Sequence, residues 1–237
     1  MRFIFSLLFF LSAFPLLAQV TQPEQEIEKD SLAPLVDSKY REDQFYASIA
    51  YILVQDAPAA FAKNSLSTGL TAGFLRDMPV NKARNRSVAV GLGYSYNNIK
   101  QNLLIAETGD TRSYTIDEAD TFDKNKLVLH YLELPLELRW RNSDSISHKF
   151  WRVYAGFKVS YLFASKSQTD FADNSVKVTG NDDLNKIMYG TYLSVGWNTW
   201  NLYAYYGLNP IFKSATLDTG QKINFNSLNL GLMFYIL

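Results

Sequence analysis

Two histidines, two short acidic runs and no cysteine are a narrow stock of metal-ligating and nucleophile-activating groups for a chain of 237 residues. Without cysteine there is no disulfide scaffold, thiolate metal site, cysteine nucleophile or lipid-modified N-terminal cysteine. His148 falls in Asn142-Ser143-Asp144-Ser145-Ile146-Ser147-His148, a polar stretch of turn composition, and reads as a solvated turn residue. His130 shares the parity of Leu132, and no serine adjoins it. A Ser–His pair needs both side chains on one face within hydrogen-bond reach, and that is not supplied locally. The run Asp117-Glu118-Ala119-Asp120-Thr121-Phe122-Asp123 lacks the alternating Asp/Asn pattern and the glycine of a calcium loop. It reads as a solvated loop, as does Asn181-Asp182-Asp183. No glycine-rich phosphate loop or HExxH motif occurs, and no catalytic residue, cofactor or metal is expected.

Charges that do fall into a pattern lie elsewhere. Leu132, Leu134, Leu136, Leu138 and Trp140 alternate with Tyr131, Glu133, Pro135, Glu137 and Arg139. Trp151, Val153, Ala155, Phe157, Val159, Tyr161 and Phe163 likewise alternate with Arg152, Tyr154, Gly156, Lys158, Ser160 and Leu162. A period of two puts one set on each face of a strand. The expectation is that Glu133, Glu137 and Arg139 meet Arg152 and Lys158 across adjacent strands as a cluster of ion pairs inside a barrel, since charges removed from water must be paired.

The elements that position these residues are eight such segments, at about 45–55, 65–76, 87–100, 126–140, 150–164, 187–197, 201–209 and 223–237. Each has about the 9 to 11 residues that a tilted strand needs to cross a bilayer, or somewhat more. The chain therefore reads as all-β, an eight-stranded antiparallel up-and-down transmembrane β-barrel of the outer membrane. Short links at 77–86, 141–149 and 198–200 alternate with links of about 25 and 22 residues after the third and fifth segments. Short turns are periplasmic and long loops extracellular in such barrels, so both termini belong in the periplasm. Trp140, Trp151, Trp197 and Trp200 all adjoin the short turns, as an aromatic belt at one membrane interface would. The final strand alternates to the end of the sequence, which suits recognition by barrel-assembly machinery and pairing with the first strand.

Residues 1–18 read as a signal peptide: Arg2, the apolar run Phe3 to Leu11, and Ala18 before Gln19 as the cleavage point. Residues 19–43, with two prolines and no apolar period, read as a flexible periplasmic tail, leaving 44–237 for the barrel. With 23 basic and 23 acidic residues there is no charge surplus to hold nucleic acid.

Tyr131-Leu132-Glu133-Leu134-Pro135-Leu136-Glu137-Leu138-Arg139, Arg152-Val153-Tyr154-Ala155-Gly156-Phe157 and Asn201-Leu202-Tyr203-Ala204-Tyr205-Tyr206-Gly207-Leu208 resemble strands of the PorT-like outer-membrane barrels of Bacteroidota. The resemblance implies an eight-stranded barrel in a family whose founding member is linked to type IX secretion and gliding, while most relatives have no assigned activity. Pro135, which cannot donate to a ladder, predicts a bulge at that point. The leading functional reading is a non-enzymatic structural or accessory component of the envelope. Its partners would be outer-membrane lipid, the assembly machinery and other envelope or secretion proteins met through its loops or tail. A surface-binding or narrow-pore barrel comes second and an outer-leaflet lipid hydrolase third.

Overall fold

The computed structural model describes residues 43–58, 60–62, 66–109, 111–119, 121–142, 151–197 and 199–236. The signal peptide, the tail before Asp43 and His148 lie outside the described residues. Eleven strands are described: β1 (Gln44–Gln55), β2 (Thr68–Pro79), β3 (Arg86–Lys100), β4 (Leu103–Thr108), β5 (Thr111–Ile116), β6 (Lys124–Arg141), β7 (Trp151–Asp170), β8 (Ser175–Thr179), β9 (Ile187–Trp197), β10 (Trp200–Gly207) and β11 (Asn226–Ile236). Eight of them form a ring in the order β6-β3-β2-β1-β11-β10-β9-β7, closed by pairing of β6 with β7. Every pair is antiparallel, and β1 meets β11 in register from Phe45↔Ile236 to Gln55↔Asn226. Closure leaves the ring without an open edge, which a sheet in hydrocarbon requires.

Alternation decides the faces. Leu132, Leu134, Leu136 and Leu138 project outward and are exposed, whereas Tyr131, Glu133, Glu137 and Arg139 are buried in the interior. Tyrosines occupy so much of that interior that glycine is needed opposite them. A Cβ on Gly93 would overlap the Tyr46 hydroxyl, and one on Gly156 the Tyr192 ring. The beginning of β1 is tied down beside β2, where Asp43 pairs with Arg76 at 3.0 Å and accepts the Asp77 backbone N–H at 2.9 Å.

Three features depart from the sequence reading. Three strands overrun their expected limits, β2 to Pro79, β6 to Arg141 and β7 to Asp170, so Asp77 and Arg141 are strand residues rather than turn residues, whereas β2 and β11 start late, at Thr68 and Asn226, and β10 ends early, at Gly207. No residue is inserted at Pro135, where the register with β7 runs unbroken through Pro135↔Lys158. Instead the β3–β6 ladder lapses between Val90↔Leu136 and Gly93↔Glu133, so the missing N–H is absorbed as a gap in one ladder. The register shift lies at His130/Tyr131, with Phe163 as the extra residue of β7. Beyond it the inward parity of β7 switches to Ser165, Ser167 and Thr169.

Third, the long links are folded. β4 and β5 form a hairpin of their own, β8 pairs with the overhang of β7, and the connection from β10 to β11 turns back over the barrel. Leu103, Ile105, Tyr114, Val178, Leu184, Ile211, Phe212, Leu217, Ile223 and Phe225 are buried together with Ile52, Leu129 and Leu162 of the barrel wall. The barrel is capped at this end by an apolar core drawn from three connections.

Candidate functional site

The interior below the cap is where the chain concentrates its charge. β6 points Glu133, Glu137, Arg139 and Arg141 inward because they share one parity, and β7 adds Arg152 and Lys158. β2 contributes Asp77, which reaches β6 across β3 because the intervening side chains are small: Asp77 is in register with Ala89, Ala89 with Glu137, and Ser87 with Arg139. Asp77 Oδ1 lies 3.1 Å from an Arg139 guanidinium nitrogen and its Oδ2 lies 3.0 Å from one of Arg141, while the Ser87 hydroxyl donates to Oδ1 at 2.6 Å. Arg139 Nε donates to Glu137 Oε2 at 2.6 Å, and Glu137 Oε1 accepts the hydroxyls of Tyr192 at 2.7 Å and Tyr235 at 3.1 Å. The Arg139 guanidinium also sits 4.8 Å from the centre of the Tyr154 ring. Arg152 is buried with its guanidinium 6.0 Å from the Tyr235 ring centre.

A second pair lies nearer the cap. Lys158 Nζ donates to both oxygens of Glu133, at 2.9 and 3.0 Å, and to the Tyr203 hydroxyl at 3.3 Å, with the Tyr205 ring centre 4.4 Å away. The carboxylates thus have short, charge-assisted bonds to cations or phenols, the arrangement under which buried charge is tolerated. A cavity of about 30 Å³ separates this pair from the cap and is lined in part by Ser95, Asn97, Ser160 and Asn229. That is room for one or two waters.

All five charges expected in the interior are there: Glu133 pairs with Lys158 across adjacent strands as expected, whereas Glu137 pairs with Arg139 of its own strand. Asp77 and Arg141 were missed by sequence reasoning. The signal was their parity, shared with Leu75 and with Arg139, masked by turn-like neighbours in Met78-Pro79 and Asn142. The tryptophans lie outside, exposed, around the short-turn end: Trp151 and Trp197 are in register with ring centres 5.6 Å apart, Trp200 pairs with Trp197 and packs on Phe234 at 5.1 Å, and Trp140 is in register with Arg86 and Val153.

The cap holds the acidic residues read as solvated loops. Asp183 accepts the Tyr114 hydroxyl at 2.7 Å and the Ser214 hydroxyl at 2.8 Å, so it fastens β5 to the β10–β11 connection instead of standing free in water. Burial opposes its ionisation, but those hydrogen bonds, with Arg112 and Lys213 nearby, hold its carboxyl below the usual value. Burial and the neighbouring Asp183 push the Tyr114 phenol up. Asp117 caps its own turn, accepting from the backbone of Ala119 and Thr121 and from the Thr121 hydroxyl. No three His, Asp or Glu side chains gather as a metal site among the described residues. His130 faces outward, and its Nδ1 lies 2.7 Å from the Tyr94 hydroxyl within a cluster of Tyr94, Tyr96 and Phe163 rings. Its hydrogen-bond partner is therefore a phenol and not a serine.

A family model described as outer membrane protein beta-barrel domain matches residues 18–213. No curated protein matches the chain.

Proposed function

The chain belongs to the outer membrane protein β-barrel domain family, and from that premise we propose that it is a non-enzymatic, non-conducting barrel serving the envelope as a structural or accessory component. Its place is the outer membrane. The observation that carries the proposal is the filled interior: Asp77, Glu137, Arg139 and Arg141 interlock at one level and Glu133 with Lys158 at another. An eight-stranded barrel is only wide enough for its own side chains, and here the side chains in the path are paired to one another. A narrow-pore role would need an aqueous path past them. The binding of His130 to Tyr94 supports the non-enzymatic reading against a lipid hydrolase.

In this proposal the cap faces outward and both termini lie in the periplasm, because the first residues of β1 and the last of β11 meet at the short-turn end. A signal peptide over 1–18 supplies the export route. The cap offers a folded surface to other envelope or secretion proteins, and the likeness to PorT-like barrels of Bacteroidota supports that class of partner, alongside outer-membrane lipid and the assembly machinery. The test is electrical: the refolded barrel is expected to be silent in a planar bilayer, and steady ohmic conductance would overturn the proposal.

A further inference from the structure

The register of the eight ring strands fixes how high each outward side chain stands along the barrel. The pairs Arg76↔Val90, Val90↔Leu136, Leu136↔Phe157, Phe157↔Thr191, Thr191↔Tyr206, Tyr206↔Leu228 and Leu228↔Leu53 follow one rung around it. Gln44↔Leu75 puts Arg76 opposite Asp43, so the rung leaves the start of β1 at Asp43 and returns to β1 at Leu53, ten residues nearer the cap. Ten residues at about 3.3 Å against eight strand spacings of about 4.8 Å give a strand tilt of about 41°. One residue along a strand is then a climb of about 2.5 Å, and one strand along the rung, in the order given, a climb of about 3 Å.

On that scale the outward aromatics gather at two heights. Trp140 lies four residues below the rung and Trp151, Trp197 and Trp200 six below it, which brings them to one level within about 6 Å. The tyrosines do the opposite. Tyr96 is six residues above the rung on β3, Tyr161 four above it on β7 and Tyr189 two above it on β9, while Tyr206 is on it in β10 and Tyr51 two below it on β1. The offset shrinks as the rung climbs, so these five strands bring their tyrosines to one level within about 4 Å. Tyr94, two residues beneath Tyr96, completes the outward tyrosines among the described residues, and the rest are buried.

The two levels are about 20 Å apart. Between them the outward side chains are Val, Leu, Ile, Phe or Ala, with Thr191 the one hydroxyl among the described residues. Beyond the tyrosines the outward faces of β3 and β6 turn to Asn98, Lys100 and Lys126. Phenols and indoles settle where hydrocarbon meets headgroups because one end is apolar and the other hydrogen-bonds. Five strands that reach one level by five different offsets face a planar partner, and a bilayer boundary is planar.

We propose that the tyrosines mark the second boundary of the membrane and that the barrel is fitted to a hydrocarbon layer of about 20 Å, short against the roughly 30 Å of an ordinary bilayer. It seats best in a thin membrane and thins a thicker one around itself. The inference rests on the membrane-spanning reading of the ring, and neither on which end faces the periplasm nor on the filled lumen.

Equilibrium urea unfolding of the full-length refolded barrel tests the fit in vesicles of didecanoyl, dilauroyl, dimyristoyl and dioleoyl phosphatidylcholine. Stability should peak in dilauroyl lipid and fall on either side, with a folding constant roughly tenfold lower in dioleoyl lipid. Stability that rises steadily toward dioleoyl lipid, or that ignores chain length, would overturn the proposal. Depth is read separately in W140F/W151F/W197F/W200F by quenching with lipids brominated at different chain positions. Tyr51→Trp, Tyr96→Trp and Tyr189→Trp should report one shallow depth, and Leu193→Trp, about midway between the levels, the deepest. Reporters on β1, β3 and β9 that scatter from shallow to deep would overturn the proposal. If the quadruple variant lacks the heat-modifiable mobility of a folded barrel, the chain-length series on the wild type decides. Failure to float with any of the vesicles would instead overturn the membrane-spanning reading, and the proposal with it.

Discussion

Asp77 and Arg141 are 64 residues apart in sequence and lie on strands that are not neighbours, yet their side chains meet at 3.0 Å with no solvent exposure of either. β3 runs between them and makes the meeting possible by presenting only Ser87 and Ala89 at that level. The pair, with Arg139 and Glu137, locks three consecutive members of the ring together across the lumen.

Asp77→Ala should therefore be costly, because it leaves two guanidinium groups buried beside a missing carboxylate. Breaking a buried pair costs about 3–5 kcal/mol, an upper expectation where water enters. Urea unfolding in lipid vesicles measures it. A loss below about 1 kcal/mol, the range of exposed ion pairs, would show that the network adds little.

Leu136→Arg tests the assignment of faces. Leu136 projects outward on β6, so an arginine there enters hydrocarbon and should cost about 2–4 kcal/mol if the position lies near the bilayer midplane. Stability equal to wild type in the same vesicles would mean that this face does not meet lipid.

Much of this barrel was legible because the outward and inward residues of β3, β6 and β7 alternate without interruption from Val88 to Tyr96, from Tyr131 to Trp140 and from Trp151 to Leu162. Within those stretches every charged residue took the face that its parity predicted. Legibility failed where local chemistry imitated something else. Asp77 and Arg141 looked like turn residues because turn formers follow them. The shift at Phe163 was hidden because Phe163-Ala164 continues an apolar run. The cap was invisible because Ile211, Phe212 and Leu217 follow no period, while Ile223 and Phe225 alternate and read as the start of the last strand; only three connections packing at once give them a common core. Pro135 signalled a disturbance, but its sequence cannot say whether the ladder bulges or lapses.

The cap should loosen in acid. A carboxyl held below its unfolded value binds a proton less readily in the folded state, so Asp183 stabilises the cap above about pH 4 and loses that contribution as pH falls through its folded value. Hydrogen exchange of residues 111–116 and 181–185, corrected for intrinsic rates, should show weaker protection at pH 3 than at pH 7. Asp183→Asn should show a smaller change between the two conditions. An identical change in the variant would assign the acid sensitivity to other groups.

Orientation can be read directly because the chain has no cysteine. On intact cells a membrane-impermeant maleimide should label Thr219→Cys, in the exposed part of the cap, and should not label Ser31→Cys until the outer membrane is permeabilised. The reverse pattern would place the cap in the periplasm.

The filled lumen is tested most directly by planar-bilayer recording of the refolded wild-type protein, with insertion scored independently by heat-modifiable mobility and by flotation with vesicles. Paired charges from Asp77 to Lys158, closed over by the Phe212–Phe225 core, predict no conductance above that of the bare bilayer in protein shown to be inserted. A steady ohmic channel in the wild type would contradict the account, because ions would then be passing through space that the Asp77, Glu137 and Arg139 side chains occupy.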